Sequence, residues 1–227
     1  HHTSEAIVVW QNAKAKDDFS HFLPSLKKTI DLVRKKAEHI GYQETAYDAL
    51  IDEYEPGITT KEVEGVFAEI KKEVSALVKG RSKAKCAEIV VDCTLQDQLE
   101  VCHELLYDIG FDFTRGRLDV SSHPFSTSYH PDDSRITCRD ESDSLIVQIL
   151  TTLHEAGHSF YEMGLPAKEQ GTPLGQHISL GIHESQSRFW ETRIGRSRGF
   201  WKFLLPRLQK RFKKDLGGIK LDEFMTR

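Results

Sequence analysis

Leu150 to Tyr161 reads Leu-Thr-Thr-Leu-His-Glu-Ala-Gly-His-Ser-Phe-Tyr, and its spacing predicts an α-helix with a chemical face. Within it lies His154-Glu155-Ala156-Gly157-His158, the pattern H-E-x-x-H. Residues four apart on a helix stack one above the other, so the two imidazoles can bind one metal ion. Zinc is the usual ion for nitrogen donors in a tetrahedral site. Glu155 then stands beside the metal, where a carboxylate takes a proton from water. This is the chemistry of peptide hydrolysis, and it demands a real helix, a third ligand and a substrate cleft.

The helix has its signals. Asp143-Ser144 opens it, Ile146, Ile149, Leu150, Leu153, Gly157 and Phe160 form an apolar face, and Gly164 and Pro166 end it. The His154/His158 line runs along the edge of that face. For the third ligand, Glu184 lies 26 positions beyond His158, a gap that fits a helix end, a loop and a returning helix. Two histidines and Glu184 leave one position open for water, as a catalytic zinc requires. His183 is a rival ligand, although neighbouring helical residues point about 100° apart, so both do not easily bind.

Working outward, the periodicity predicts helices over 17–40, 44–54, 59–80 and from Thr94 to Gly110, the third and fourth opened by Thr59-x-x-Glu62 and Thr94-x-x-Asp97. Between Phe111 and Arg139 the helical period disappears. Leu118–Ser122, Ser126–His130 and Ser134–Arg139 read as three short strands of a small antiparallel sheet, a wall of the cleft. Beyond the metal helix, a helix is expected over 178–194. Another is expected over 199–216, with Pro206 near its first turns, and Leu221-Asp222-Glu223-Phe224 starts one more. The fold class is mainly α, a multi-helix zincin-like body with a small β-sheet beside the active-site helix.

Composition excludes several classes. Hydrophobic residues make up 38% and charged residues 29%, as in an ordinary globular protein. A net charge of −4 supplies no overall pull towards nucleic acid or acidic membranes. The basic run Lys79-Gly80-Arg81-Ser82-Lys83 has no interleaved aromatics and reads as a solvated helix end. No apolar run approaches the ~18–20 residues of a membrane span. Cys86, Cys93, Cys102 and Cys138 lack C-x-x-C spacing, which favours free thiols and a cytoplasmic location. The chain opens on His1-His2 and stops just after a helix begins, as a segment of a longer polypeptide would.

Taken together, the blocks resemble the M32 metallocarboxypeptidases, the carboxypeptidase Taq family. The likeness rests on Tyr47-Asp48-Ala49-Leu50-Ile51-Asp52-Glu53-Tyr54-Glu55-Pro56-Gly57, His123-Pro124-Phe125, Asp133-Ser134-Arg135-Ile136-Thr137, the H-E-x-x-H pentapeptide and His183-Glu184-Ser185-Gln186. They occur in family order. Gly171-Thr172-Pro173-Leu174-Gly175 and Ser187-Arg188-Phe189-Trp190-Glu191 match its flanks.

The resemblance implies zinc or cobalt on His154, His158 and Glu184, with Glu155 as general base. It implies release of single C-terminal residues from peptides with a free C-terminus, broad side-chain tolerance and a block at proline. It also implies a deep groove and a homodimer, while the charge and the lack of a long apolar run argue against nucleic-acid or membrane partners. Such proteins run well beyond this length, so residues 1–227 correspond to a catalytic-region segment. Its expected parts are a helical lobe (1–110), a small β region (111–140) and metal-binding helices (141–227). The groups that grip a substrate's terminal carboxylate are expected outside the segment. A related H-E-x-x-H endopeptidase or dipeptidase, and a metal-binding remnant without activity, use the same residues.

Other residues carry two readings each. Arg135 either meets a substrate carboxylate or oxyanion, or pairs with Asp133, and pairing weighs more. Thr137 belongs with them as a substrate-side candidate. His123 either lines the cleft or is a hydrogen-bonded buried histidine. His183 and Gln186 either orient Glu184 or touch substrate.

Overall fold

The computed structural model describes residues 1–81, 89–139 and 144–226. The expected helix start at Asp143, the thiol of Cys86 and the Ser82-Lys83 end of the basic run lie outside the described residues. Two compact units form, His1–Ser82 and Lys83–Arg227.

The first unit is four helices. Helix α1 (His2–Ala15) was not expected from the sequence. It buries Ala6 and Ala13 and leaves Ile7, Val8 and Trp10 exposed, so its packed face is made of small residues without a hydrophobic stripe. It lies along α2 (Phe19–Ile40), where His2 Nε2 is 3.1 Å from Thr29 Oγ1. Asp18 starts α2 by accepting from the His21 N–H at 3.2 Å, and Gly41 ends it at φ +85°, a region that favours glycine.

Helices α3 (Ala46–Asp52) and α4 (Thr60–Arg81) are joined by one carboxylate. Asp48 accepts from the Thr45 N–H at 3.0 Å, the Thr60 N–H at 2.7 Å and the Thr60 hydroxyl at 2.5 Å. Among the described residues, the buried hydrophobic side chains of this unit are Ala6, Ala13, Ala37 and Ala49. Polar clasps therefore carry much of its local order.

The second unit is built around α6 (Leu145–Met163), opened by Ser144 accepting from the Val147 N–H. Leu145, Ile149 and Leu153 are essentially fully buried against Val101 and Leu105 of α5 (Leu95–Asp108) and against Trp201, Leu204 and Leu208. Each such aliphatic side chain stabilises by about 1.5–3 kcal/mol relative to exposure. The opposite side of α6 is buried as well: Ala156 packs with Leu106, Phe111 and Ile136 in a second, smaller cluster. A helix buried on two sides is fixed in rotation, and its remaining polar edge is fixed with it.

The sheet consists of β1 (Gly116–Ser121), β2 (Ser126–His130) and β3 (Asp133–Arg139) in the order β1-β3-β2. It is mixed rather than antiparallel: β2 pairs antiparallel with β3, but β1 pairs parallel with β3, Leu118 opposite Ile136. The cause is the burial of β3. Ser134, Ile136 and Cys138 are fully buried facing α6, so β3 takes the centre, and two chain reversals return it to the direction of β1. Polar contacts set the register on α6: Ser134 and Ser159 hydroxyls are 2.5 Å apart, and Gln148 Nε2 donates to the Arg139 carbonyl at 3.0 Å.

The helix expected over 178–194 is two structures, α7 (Leu180–Arg188) and a wider π-helical stretch, Phe189–Ile194. The helix expected over 199–216 divides into α8 (Arg198–Arg211) and α9 (Lys213–Leu216), with α10 (Leu221–Thr226) after them. Pro206 stands inside α8, past its first turns, on the exposed side where water can serve the carbonyl that loses its N–H partner. No described helix is long and apolar enough to cross a membrane.

Three hydrogen bonds hold the Asp48 carboxyl at about 2, well below its ordinary 3.8. A depressed carboxyl pKa contributes stability above the unfolded value, and the contribution fades as pH falls from 3.8 towards 2. An NMR titration of the Asp48 side chain is expected to give a midpoint near 2. A midpoint at the ordinary value would mean that the α3–α4 clasp does not form in solution.

Candidate metal centre

The site begins with a missing side chain. A Cβ on Gly157 would lie 2.6 Å from Ser187 Cα and 2.7 Å from the Gln186 carbonyl oxygen. Because Gly157 has no Cβ, the backbones of α6 and α7 approach there. The approach brings α7's Glu184 over the His154/His158 edge of α6. Ser179 fixes the start of α7 by accepting from the Ile182 N–H at 3.2 Å.

Three donors meet as a result. Glu184 Oε2 is 3.6 Å from His154 Nε2 and 3.4 Å from His158 Nε2. One ligand atom from each residue lies within 4.8 Å of the other two, so a single ion fits among them. The buried Ser187 hydroxyl holds the same Glu184 Oε2 at 2.9 Å. Burial, with His183 and His154 nearby, pushes the His158 pKa down from 6.5 to about 4, so at neutral pH its imidazole is uncharged and has a lone pair to give. The chemistry of the donor set fits a divalent metal.

Glu155 lies beside the donors and is only 7% exposed. Burial raises its carboxyl pKa, and His154 and His123 pull it back only in part. A raised pKa makes a carboxylate a better proton acceptor. With His154, His123, Gln148, Thr151 and Glu191 it borders a cavity of about 290 Å³. His123 is exposed at the cavity edge, its Nδ1 2.6 Å from the Pro124 carbonyl.

The other residues singled out above fall in different places. Arg135 and Asp133 form an exposed ion pair at 2.8 Å, with the Arg135 guanidinium 5.3 Å from the Tyr129 ring centre. Thr137 is buried in the sheet, where Ser121 and the Phe125 N–H bond its hydroxyl at 2.6 and 3.0 Å. Neither these three residues nor Gln186, whose backbone abuts Gly157, borders the cavity or joins the donor triad. His183 does reach the triad, but from behind His158 rather than from Glu184's side, Nδ1 to Nδ1 at 2.5 Å.

Three participants went unread in the sequence. Glu191, on the π-helical stretch, accepts from His154 Nδ1 at 3.0 Å and is itself bound by Arg188 at 2.7 Å. Glu162 accepts from His183 Nε2 at 2.7 Å, with His177 Nδ1 3.3 Å away. The signal was spacing: Glu162 continues the step of four that joins His154 to His158, and Glu191 is seven beyond Glu184. Glu162, His177 and His183 also bring ligand atoms within 4.8 Å of one another. Their donors are already bonded to each other and lie away from Glu155 and the cavity.

Comparison with known proteins places this arrangement. The sequence matches the family described as carboxypeptidase Taq (M32) metallopeptidase over residues 1–227. The chain belongs to the M32 metallopeptidase family. Among M32 relatives, a thermostable carboxypeptidase 1 of Thermus thermophilus is 41% identical over 97% of this chain and 46% of its own length. A carboxypeptidase 1 of Bacillus subtilis is 38% identical over 98% and 45%, and a thermostable carboxypeptidase 1 of Pyrococcus furiosus 43% identical over 92% and 43%. The chain thus spans a little under half the length of these relatives.

Solved M32-type structures agree. One titled as the BsuCP crystal structure superposes with a TM-score of 0.93 at 37% identity, covering 99% of this chain and 46% of that one. The Pyrococcus furiosus carboxypeptidase, in a form titled Apo-Mg, gives 0.86 at 39% identity, with the same coverage. Membership of a metallopeptidase family implies a divalent metal, which the donor set described above fits.

Gly157→Ala puts a methyl group into backbone that cannot yield, and should cost about 1–3 kcal/mol of stability, read from the denaturant midpoint. It should also weaken binding of Zn²⁺ by moving Glu184 away. Parent-like stability and affinity would mean that the α6–α7 approach is looser than described.

Proposed function

We propose that this chain carries the catalytic centre of a metallocarboxypeptidase, which releases single residues from peptides with a free C-terminus. The observation that carries the reading is the convergence of His154, His158 and Glu184 beside a buried Glu155, in a chain of the M32 family. His154, His158 and Glu184 would hold zinc, with cobalt able to replace it. The chemistry a divalent ion supplies when bound is polarisation of the scissile carbonyl and acidification of water.

The protein's own groups do the rest. Glu155 takes a proton from the attacking water on its carboxylate oxygen and delivers it to the nitrogen of the departing amine. Its burial supports the role, because a desolvated carboxylate binds a proton more readily than one in water. The cavity bounded by His123, Thr151 and Glu155 is where a peptide end would enter, while broad side-chain tolerance and the block at proline rest on the family resemblance.

The free thiols of Cys93, Cys102 and Cys138 support a cytoplasmic setting. Peptides are the partners this reading requires. The homodimer rests on the family resemblance, and the lack of nucleic-acid or membrane partners on the net charge of −4 and the absence of a long apolar run.

A pair of peptides tests the reaction class. The zinc-loaded chain should release the last residue of a peptide acid and leave the same peptide unreacted when its C-terminus is amidated. Cleavage of the amide would indicate an endopeptidase, and no cleavage of either would indicate a metal-binding segment without activity. Glu155→Gln should lower turnover by about 10²–10⁴-fold while keeping zinc. Glu184→Ala should instead lose zinc affinity, and unchanged affinity would place the third ligand elsewhere.

A further inference from the structure

Behind the donor triad lies a line of hydrogen bonds whose direction is set once Glu162 is ionised and His183 is neutral. It runs from Glu162 Oε1 to His183 Nε2 at 2.7 Å, and from His183 Nδ1 to His158 Nδ1 at 2.5 Å. Glu162 and His158 share a face of α6, one turn apart, and His183 reaches them from α7. The side chains of His183, His158 and Glu162 are 13%, 18% and 19% exposed, so water competes little for these bonds.

An ionised carboxylate only accepts, so the nitrogen of His183 that faces Glu162 carries the hydrogen. A neutral imidazole has one N–H, which leaves His183 Nδ1 as an acceptor. His158 Nδ1 must then be the donor, because two bare nitrogens or two N–H groups do not sit together at that distance. It follows that His158 Nε2, the atom facing Glu184, holds a free lone pair. Reversing either proton would set a bare nitrogen against the Glu162 carboxylate and place a hydrogen where a metal must bind.

We propose that Glu162 and His183 are positioning residues that fix the tautomer and ring orientation of His158, in parallel with Glu191 on His154. The assignment rests on the metal-site reading above. The two ligand histidines are thereby anchored differently. Glu191 takes the Nδ1–H of His154 directly, whereas Glu162 acts on His158 through an intervening imidazole. Partners of this kind are typically worth about 10–100-fold in metal affinity. His177 also touches Glu162, at 3.3 Å, on the oxygen that His183 uses.

The test is Zn²⁺ affinity, measured by competition with a chelating dye on the full chain, for Glu162→Gln, His183→Phe and the double variant. Circular dichroism confirms that each is folded. Each single substitution in the line should weaken binding at least tenfold, and the double variant should be no weaker than His183→Phe alone. In the metal-free parent, long-range ¹H–¹⁵N spectra should show the hydrogen of His158 on Nδ1.

Parent-like affinity in Glu162→Gln and His183→Phe, additive losses in the double variant, or a hydrogen on His158 Nε2 would overturn the relay while leaving the metal site standing. Should a line variant not fold, the tautomer read in the parent decides alone. A parent that binds no Zn²⁺ would overturn the metal-site reading and the relay with it.

Discussion

The site depends on one close approach, that of α7's backbone to α6 at Gly157. Nothing larger than hydrogen fits between Gly157 and the Ser187–Gln186 backbone. The resulting proximity lets a glutamate of ordinary length reach two imidazoles on another helix, with Ser187, at the contact itself, holding the glutamate's oxygen. The glycine of the H-E-x-x-H segment thus matters through packing: it sets the distance across which His154, His158 and Glu184 meet. A second constraint of the same kind acts at Gly195, where an added Cβ would strike Leu153 and Leu150 of α6 at 2.8 and 2.9 Å.

That approach is useful only because α6 cannot rotate. Leu145, Ile149 and Leu153 on one side and Ala156 on the other lock it between the helices and the sheet. Its remaining edge carries His154, His158 and Glu162, each answered by a group on the next elements. Burying so many ionisable groups is costly unless they are paired. Here the pairing is nearly continuous: Arg188 and Arg196 balance Glu191, which serves His154, while Glu162 accepts from His183 and meets His177. Glu155 enters none of the described ion pairs, and burial raises its carboxyl pKa.

Much of this was legible in the sequence where the signal was local. The Asp18, Thr94 and Ser144 starts and the Gly41 and Gly110 ends stand within a residue or two of expectation, because capping is a contest over a few backbone groups. The triad was legible because helical spacing fixes His154 against His158, and the distance to Glu184 allows one return of the chain. Helix α1 was not, since alanines form its buried side. The sheet's parallel pair was not either, because strand direction follows from which strand the core buries, a property of the whole unit. Glu162 and Glu191 were not, because their partners lie on other elements, His183 of α7 for Glu162 and His154 of α6 for Glu191. Spacing alone hinted at them, and only tertiary contact gives that spacing meaning.

The central claim is that one divalent ion belongs among His154, His158 and Glu184. Anomalous diffraction at the zinc absorption edge, from crystals of the chain grown with Zn²⁺, addresses it directly. The account predicts a peak bounded by His154 Nε2, His158 Nε2 and the Glu184 carboxylate. No peak there, or a peak confined to Glu162, His177 and His183, would contradict it.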